Sequence, residues 1–232
     1  MKKLSFAVIK KTHIFFCLAF LLGVASVVVY FAAVRPAFQP KRTYTIVIDA
    51  GHGGKDGGAV GSVTGVTESF LNLEYANTLR ILCKEYGFKV VMTRSDMSGL
   101  YSESAANKKK SEMEKRRKII KKSNADLVVS IHMNSFPTSS ARGAQVFYAQ
   151  GNIAGQALAE SVSAMLNQNI EYAKKTPKVG DYFVLNCTQK PAILVECGFL
   201  SNGEEELLLQ DKNFENALCY QILCGILQFF RM

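Results

Sequence analysis

The chain has 232 residues, 48% hydrophobic and 20% charged, with a formal net charge of +9. That much apolar material can bury one sizeable core, which excludes a disordered chain and points to one globular domain with a short appendage. Five of the 28 basic residues (Lys2, Lys3, Lys10, Lys11 and Arg35) precede residue 41, leaving 23 basic against 19 acidic groups beyond it, a surplus that suits an anionic polymer and is too weak to argue for nucleic acid.

Residues 1–13 form a basic segment, and residues 14–34 then run 21 residues without a charge, about the length of a bilayer-crossing helix. The flanking lysines place the N-terminus in the cytoplasm and export the rest of the chain. Phe31 and Tyr30 stand where a signal-peptidase site wants small residues, so an uncleaved anchor on the extracytoplasmic face is expected, with a secreted form as the alternative. Cys17 follows Ile14, Phe15 and Phe16 and reads as membrane filling. Residues 35–43, with Pro36 and Pro40, form a linker to a domain spanning 44–232.

In that domain, β-rich apolar runs at 44–48, 88–92, 127–131, 144–148 and 192–195 alternate with segments of helical period. Leu71, Tyr75, Leu79, Leu82 and Tyr86 make one helical stripe; Ala157, Leu158, Val162, Met165 and Leu166 make another. Phe214, Leu218, Ile222, Ile226 and Phe230 make the last. The fold class is therefore α/β: a single domain with a mostly parallel twisted sheet and helices on both faces, preceded by an N-terminal transmembrane helix. The lysine-rich stretch 108–122 reads as a solvated helix face, or else as a contact for wall polymer or lipid headgroups. The exported cysteines, Cys83, Cys187, Cys197, Cys219 and Cys224, are odd in number and lack a C-x-x-C pair, so buried free thiols are expected.

Ligands of an open parallel sheet bind outside the carboxyl ends of its strands. The first strand runs into Asp49-Ala50-Gly51-His52-Gly53-Gly54 and the third into His132-Met133-Asn134, so the two histidines of the domain share one edge. Either alone could be an ordinary buried imidazole; two beside a carboxylate suggest a metal. Glu68, behind a Thr67 able to cap the helix, is the candidate third ligand, though an acid there also suits the helix dipole. Two imidazoles and one carboxylate are typical of catalytic zinc, with the fourth position left for water. Glu196, at the end of the last strand, is the candidate proton-transferring group, with an ion pair to a surface lysine or arginine as its ordinary alternative.

Five segments in order, Ile46 through Gly54, Thr67 through Asn72, Val91 through Arg94 with Asp96, Ala125 through Asn134, and Pro191 through Asn202, resemble the zinc-dependent N-acetylmuramoyl-L-alanine amidases of the amidase-3 type. The resemblance spans roughly residues 44–230. It implies that His52, Glu68 and His132 hold one Zn2+ per chain, that Glu196 is the catalytic carboxylate, and that peptidoglycan is the substrate. A membrane segment followed directly by one catalytic domain is similar to the germination-specific amidases of spore-forming bacteria, which act on cortex peptidoglycan before muramic-δ-lactam forms. That implies a place in the forespore or spore envelope. Some such enzymes depend on an activating protein partner or carry an inhibitory helix, for which residues 97–114 are the available place. A zinc peptidase cutting wall cross-links and a non-catalytic anchored wall-binding protein are the competing readings.

Overall fold

The computed structural model describes residues 19–26, 43–172 and 175–231. The chain divides into two units, 1–42 and 43–232. Within the first, residues 19–26 are helical. The remainder of the expected span 14–34, the basic segment 1–13, Cys17 and nearly all of the linker lie outside the described residues. Among the described residues no helix is long and apolar enough to cross a membrane.

The second unit is built on six strands: β1 (Thr45–Ala50), β2 (Lys89–Met92), β3 (Leu127–Asn134), β4 (Gln145–Tyr148), β5 (Lys178–Val179) and β6 (Ala192–Phe199). Their order across the sheet is β2-β1-β3-β6-β4-β5, and every pairing is parallel except β4 with β6. The helices are α1 (Glu68–Glu85), α2 (Lys108–Lys122), α3 (Ile153–Asn169), the short α4 (Gly203–Leu209) and α5 (Lys212–Phe230). All five strands expected from sequence are present, and β3 and β6 run longer because their polar ends remain in the ladder. The two-residue β5 and the seven-residue α4 carry too few residues for a period to register.

Both faces of the sheet are covered, as apolar strands require. Ile46, Ile48, Val129, Ile131, Ile193 and Val195 point into the larger core, where α1, α3 and α5 pack. The alternate residues Val47, Val128 and Leu194 point into a smaller core with Ile120 of α2 and Leu185 of a 3-10 turn. The α2 face corrects a sequence expectation. Lysines do cover its outside, but Glu112, Arg116 and Ile120, spaced four apart, are buried, so its inward stripe is largely charged. The five cysteines of this unit are free; four are buried and Cys224 is half-buried.

The packing of α3 on α5 is close because Gly225 presents no side chain: a Cβ there would lie 2.5 Å from the Cα of Val162. Gly225→Ala gains about 1 kcal/mol of helix propensity, while overpacking against backbone costs about 1–3 kcal/mol. Backbone cannot swing aside, so overpacking wins. The variant should melt a few degrees lower by circular dichroism, at roughly 2–4 °C per kcal/mol for a domain of this size; an unchanged midpoint would contradict so close a crossing.

Candidate metal centre

From β1 the chain crosses to β2 through α1 on one face, and from β2 to β3 through α2 on the other. The carboxyl ends of β1 and β3 therefore lie at the point where the winding reverses, the usual crevice of such sheets. His52 follows β1 by two residues and His132 lies within β3. Their rings meet edge to face with centroids 5.1 Å apart.

His52 occupies a left-handed backbone conformation, φ 59°, which costs an L-residue about 1–2 kcal/mol. Two buried arginines hold the turn in place. Arg94 donates from Nε to the Ala50 carbonyl at 3.0 Å and from Nη2 to the Gly51 carbonyl at 2.9 Å. Arg116 donates from Nη1 to Ala50 O at 2.8 Å and from Nη2 to His52 O at 2.5 Å. Gly51 leaves room for the opposite ring, since a Cβ there would stand 2.2 Å from Cε1 of His132.

Glu68 opens α1. Thr67 occupies the cap position, but its side chain makes no capping bond, contrary to expectation. Loop carbonyls take that role: Glu68 N donates to Ala59 O at 2.8 Å and Ser69 N to Gly57 O at 2.9 Å. Ala59 N answers with a bond to Glu68 Oε2 at 2.9 Å, tying the carboxylate to the loop that follows His52. Asn72, one helical turn on, donates to Glu68 Oε1 at 3.2 Å and also to Gly51 O at 3.2 Å.

These constraints bring the three sequence-predicted residues together. Glu68 Oε1 lies 3.1 Å from His52 Nε2 and 2.8 Å from His132 Nδ1, and one donor atom from each residue falls within 4.8 Å of the others. Ligands of a tetrahedral ion at about 2.0–2.1 Å stand roughly 3.3 Å apart, so the cluster is of the size that a small divalent ion needs. Both imidazoles are about one-fifth exposed and the carboxylate is buried, leaving one side open to solvent. Asp56 Oδ1 takes the other nitrogen of His52, Nδ1, at 2.9 Å, fixing the ring with Nε2 toward Glu68, and Lys109 in turn holds Asp56 at 2.5 Å. Burial pushes the Glu68 carboxyl up, but hydrogen bonds from His132 and His52 outweigh it and hold the group below the usual carboxylate range.

Glu196 belongs to the same edge but not to the cluster. It is the direct cross-strand partner of His132 in the β3–β6 ladder and is 7% exposed. Among the described residues its Oε2 is buried without a hydrogen-bond partner, and no lysine or arginine pairs with it there. Burial pushes its pKa up to about 7, with the Glu68 charge adding and the two histidines partly offsetting.

Sequence reading missed the polar layer beneath. Asp49 is buried and accepts bonds from Thr93 Oγ1 and Ser130 Oγ, both at 2.6 Å, and from Arg116 Nη1 at 2.5 Å. Glu112 takes the second arm of Arg116 at 2.8 Å. An acid at the end of an otherwise apolar strand was the available signal for Asp49; Arg116 was hidden in a run of surface lysines.

Residues 46–228 match the Amidase_3 family, N-acetylmuramoyl-L-alanine amidase. The chain belongs to this family. It is 33% identical over 200 residues to the germination-specific N-acetylmuramoyl-L-alanine amidase of Bacillus subtilis (strain 168), covering 84% of each chain. Among solved structures it is similar to the CwlD amidase from Clostridioides difficile in complex with the GerS lipoprotein, with a TM-score of 0.78 and 33% identity over 82% of this chain and 99% of that one. The catalytic domain of CwlV, an N-acetylmuramoyl-L-alanine amidase from Bacillus (Paenibacillus) polymyxa var. colistinus, superposes with a TM-score of 0.73 at 32% identity, over 82% of this chain and 99% of that one. Membership thus agrees with the single α/β domain and its mostly parallel sheet.

Arg116→Met would leave Asp49 buried and uncompensated, and should cost about 3–5 kcal/mol in urea unfolding. The pH dependence has a definite sign. Burial raises the Asp49 pKa, but Arg116, Ser130 and Thr93 outweigh it, so the folded value lies below the ordinary 3.8. The folded chain therefore binds fewer protons there than the unfolded chain, and the stabilisation is whole above about pH 4 and lost as pH falls through the folded value. Asp49→Asn should be less stable at pH 7 and decline less steeply on acidification; parallel stability curves for variant and wild type would rule this out.

Proposed function

We propose that this chain is a zinc-dependent N-acetylmuramoyl-L-alanine amidase that hydrolyses the amide between N-acetylmuramic acid and L-alanine in peptidoglycan, with His52, Glu68 and His132 as metal ligands and Glu196 as the proton-transferring carboxylate. The observation that carries it is the convergence of two imidazole nitrogens on one oxygen of Glu68, with a buried, unpartnered carboxylate one strand away. Two nitrogens and an oxygen form a catalytic rather than a structural zinc set, because the fourth position is left to solvent or substrate. Bound zinc would supply a Lewis acid for the scissile carbonyl and a lowered pKa for its water.

The protein's own groups do the rest. Asp56 keeps Nδ1 of His52 occupied so that Nε2 faces the cluster, the orienting role usual for a carboxylate behind a metal-bound histidine. Glu196 has a pKa raised to about 7, suited both to taking a proton from the attacking water and to returning it to the leaving amine of L-alanine. Its neighbour Glu68 stays ionised. The two carboxylates thus take different roles because their surroundings push their pKa values apart.

Likeness to the germination-specific amidase of Bacillus subtilis supports action on spore cortex peptidoglycan, with stem removal preceding muramic-δ-lactam formation. The complex of the Clostridioides difficile CwlD amidase with the GerS lipoprotein supports a protein partner for this chain too. The uncharged stretch 14–34 supports anchoring at the extracytoplasmic face, in the forespore or spore envelope.

Digestion of purified peptidoglycan should create new L-alanine amino termini; new ends at cross-links instead would make the enzyme a peptidase. Glu196→Gln should lower kcat by roughly 100- to 10,000-fold with bound zinc unchanged. His132→Ala should lose both zinc, measured by metal analysis of the purified chain, and turnover. Full activity after thorough chelation would defeat the metal mechanism.

A further inference from the structure

The row of side chains that holds His132 and Glu196 continues one strand further. Gln145, at the start of β4, is the cross-strand partner of Glu196, so His132, Glu196 and Gln145 stand abreast on one face of β3, β6 and β4. Neighbouring side chains in such a row are about 4.5–5.5 Å apart. Gln145 is half-buried, and its amide makes no hydrogen bond among the described residues.

Tyr182 packs on the same face of the sheet. Its ring rests edge to face on Phe147, which shares the Gln145 face of β4, with centroids 5.3 Å apart. It also lines a hollow of about 120 Å³ with His52, His132 and Met113. Its hydroxyl has no hydrogen-bond partner among the described residues. Burial, then the nearby Glu196 charge, push the phenol pKa up, so the hydroxyl keeps its proton and remains a donor.

We infer that Gln145 and Tyr182 bind the stem peptide of the substrate, on the leaving-group side of the scissile amide. This assignment rests on the amidase reading. In that reading the His–Glu cluster takes the carbonyl side of the bond and Glu196 faces the leaving nitrogen, so the next position in the row meets the peptide. A glutamine amide, which donates and accepts, and a protonated phenol match the alternating donors and acceptors of a peptide backbone.

The test compares two substrates, a muramoyl stem peptide of full length and muramoyl-L-alanine alone, using the wild type, Gln145→Ala, Tyr182→Phe and Glu196→Gln. Each of the first two substitutions should lower kcat/KM for the full stem roughly tenfold or more and for muramoyl-L-alanine far less, with zinc per chain and melting temperature unchanged. No loss, or equal losses on the two substrates, overturns the assignment. Its failure is separable from that of the amidase reading. Selective losses in Gln145→Ala and Tyr182→Phe with an active Glu196→Gln keep the peptide wall and remove the proposed carboxylate, and the reverse pattern does the opposite.

Discussion

The site depends on the buried guanidinium of Arg116, which joins Asp49 of β1 and Glu112 of α2 to the carbonyls of Ala50 and His52. Removing such a group from water is expensive, and an apolar cluster replacing Arg116, Asp49 and Glu112 together could serve stability as well. What such a cluster could not do is donate hydrogen bonds to the carbonyls of Ala50 and His52. The arginine fixes where the chain turns after β1, and with Arg94 it holds His52 in a left-handed conformation that the residue would otherwise avoid. A strained backbone at a functional position persists when its surroundings overdetermine it, and here two guanidiniums do so.

From that turn the remaining geometry follows with little freedom. Gly51 admits the His132 ring, the loop at 57–59 meets the first amides of α1, and Glu68 is delivered between two imidazoles. The hydrogen bonds of Asn72 to both Gly51 and Glu68 link helix and turn a second time. Loop, strand and helix are thereby locked into one unit before any ion is considered, the kind of preorganisation that lets a metal site choose its geometry.

Electrostatics separates the two acids of this edge. Glu68 is buried but surrounded by donors, and its charge is stabilised; Glu196 is buried with one oxygen unpartnered among the described residues, and burial outweighs the two histidines. Nothing in the residue type distinguishes them. A few ångströms of placement lower the pKa of one and raise that of the other to about 7.

The local elements were legible because their signals are local. Apolar runs marked β1, β3 and β6, and spacing marked α1, α3 and α5, while β5 and α4 are too short to carry a period. His52, His132, Glu68 and Glu196 stood out because polar residues at the ends of apolar strands, or in the first turn of a helix, have few structural uses. By itself the sequence thus determined the alternation of strand and helix and the nomination of four polar residues at one edge. Tertiary structure decided the rest: that Arg116 and Glu112 turn inward from a run of lysines, that Thr67 yields its capping role to loop carbonyls, and that Gln145 stands beside Glu196. Such facts depend on which strands lie side by side and on which face a helix buries, and residues far apart in the chain acquire those relations only when the sheet closes.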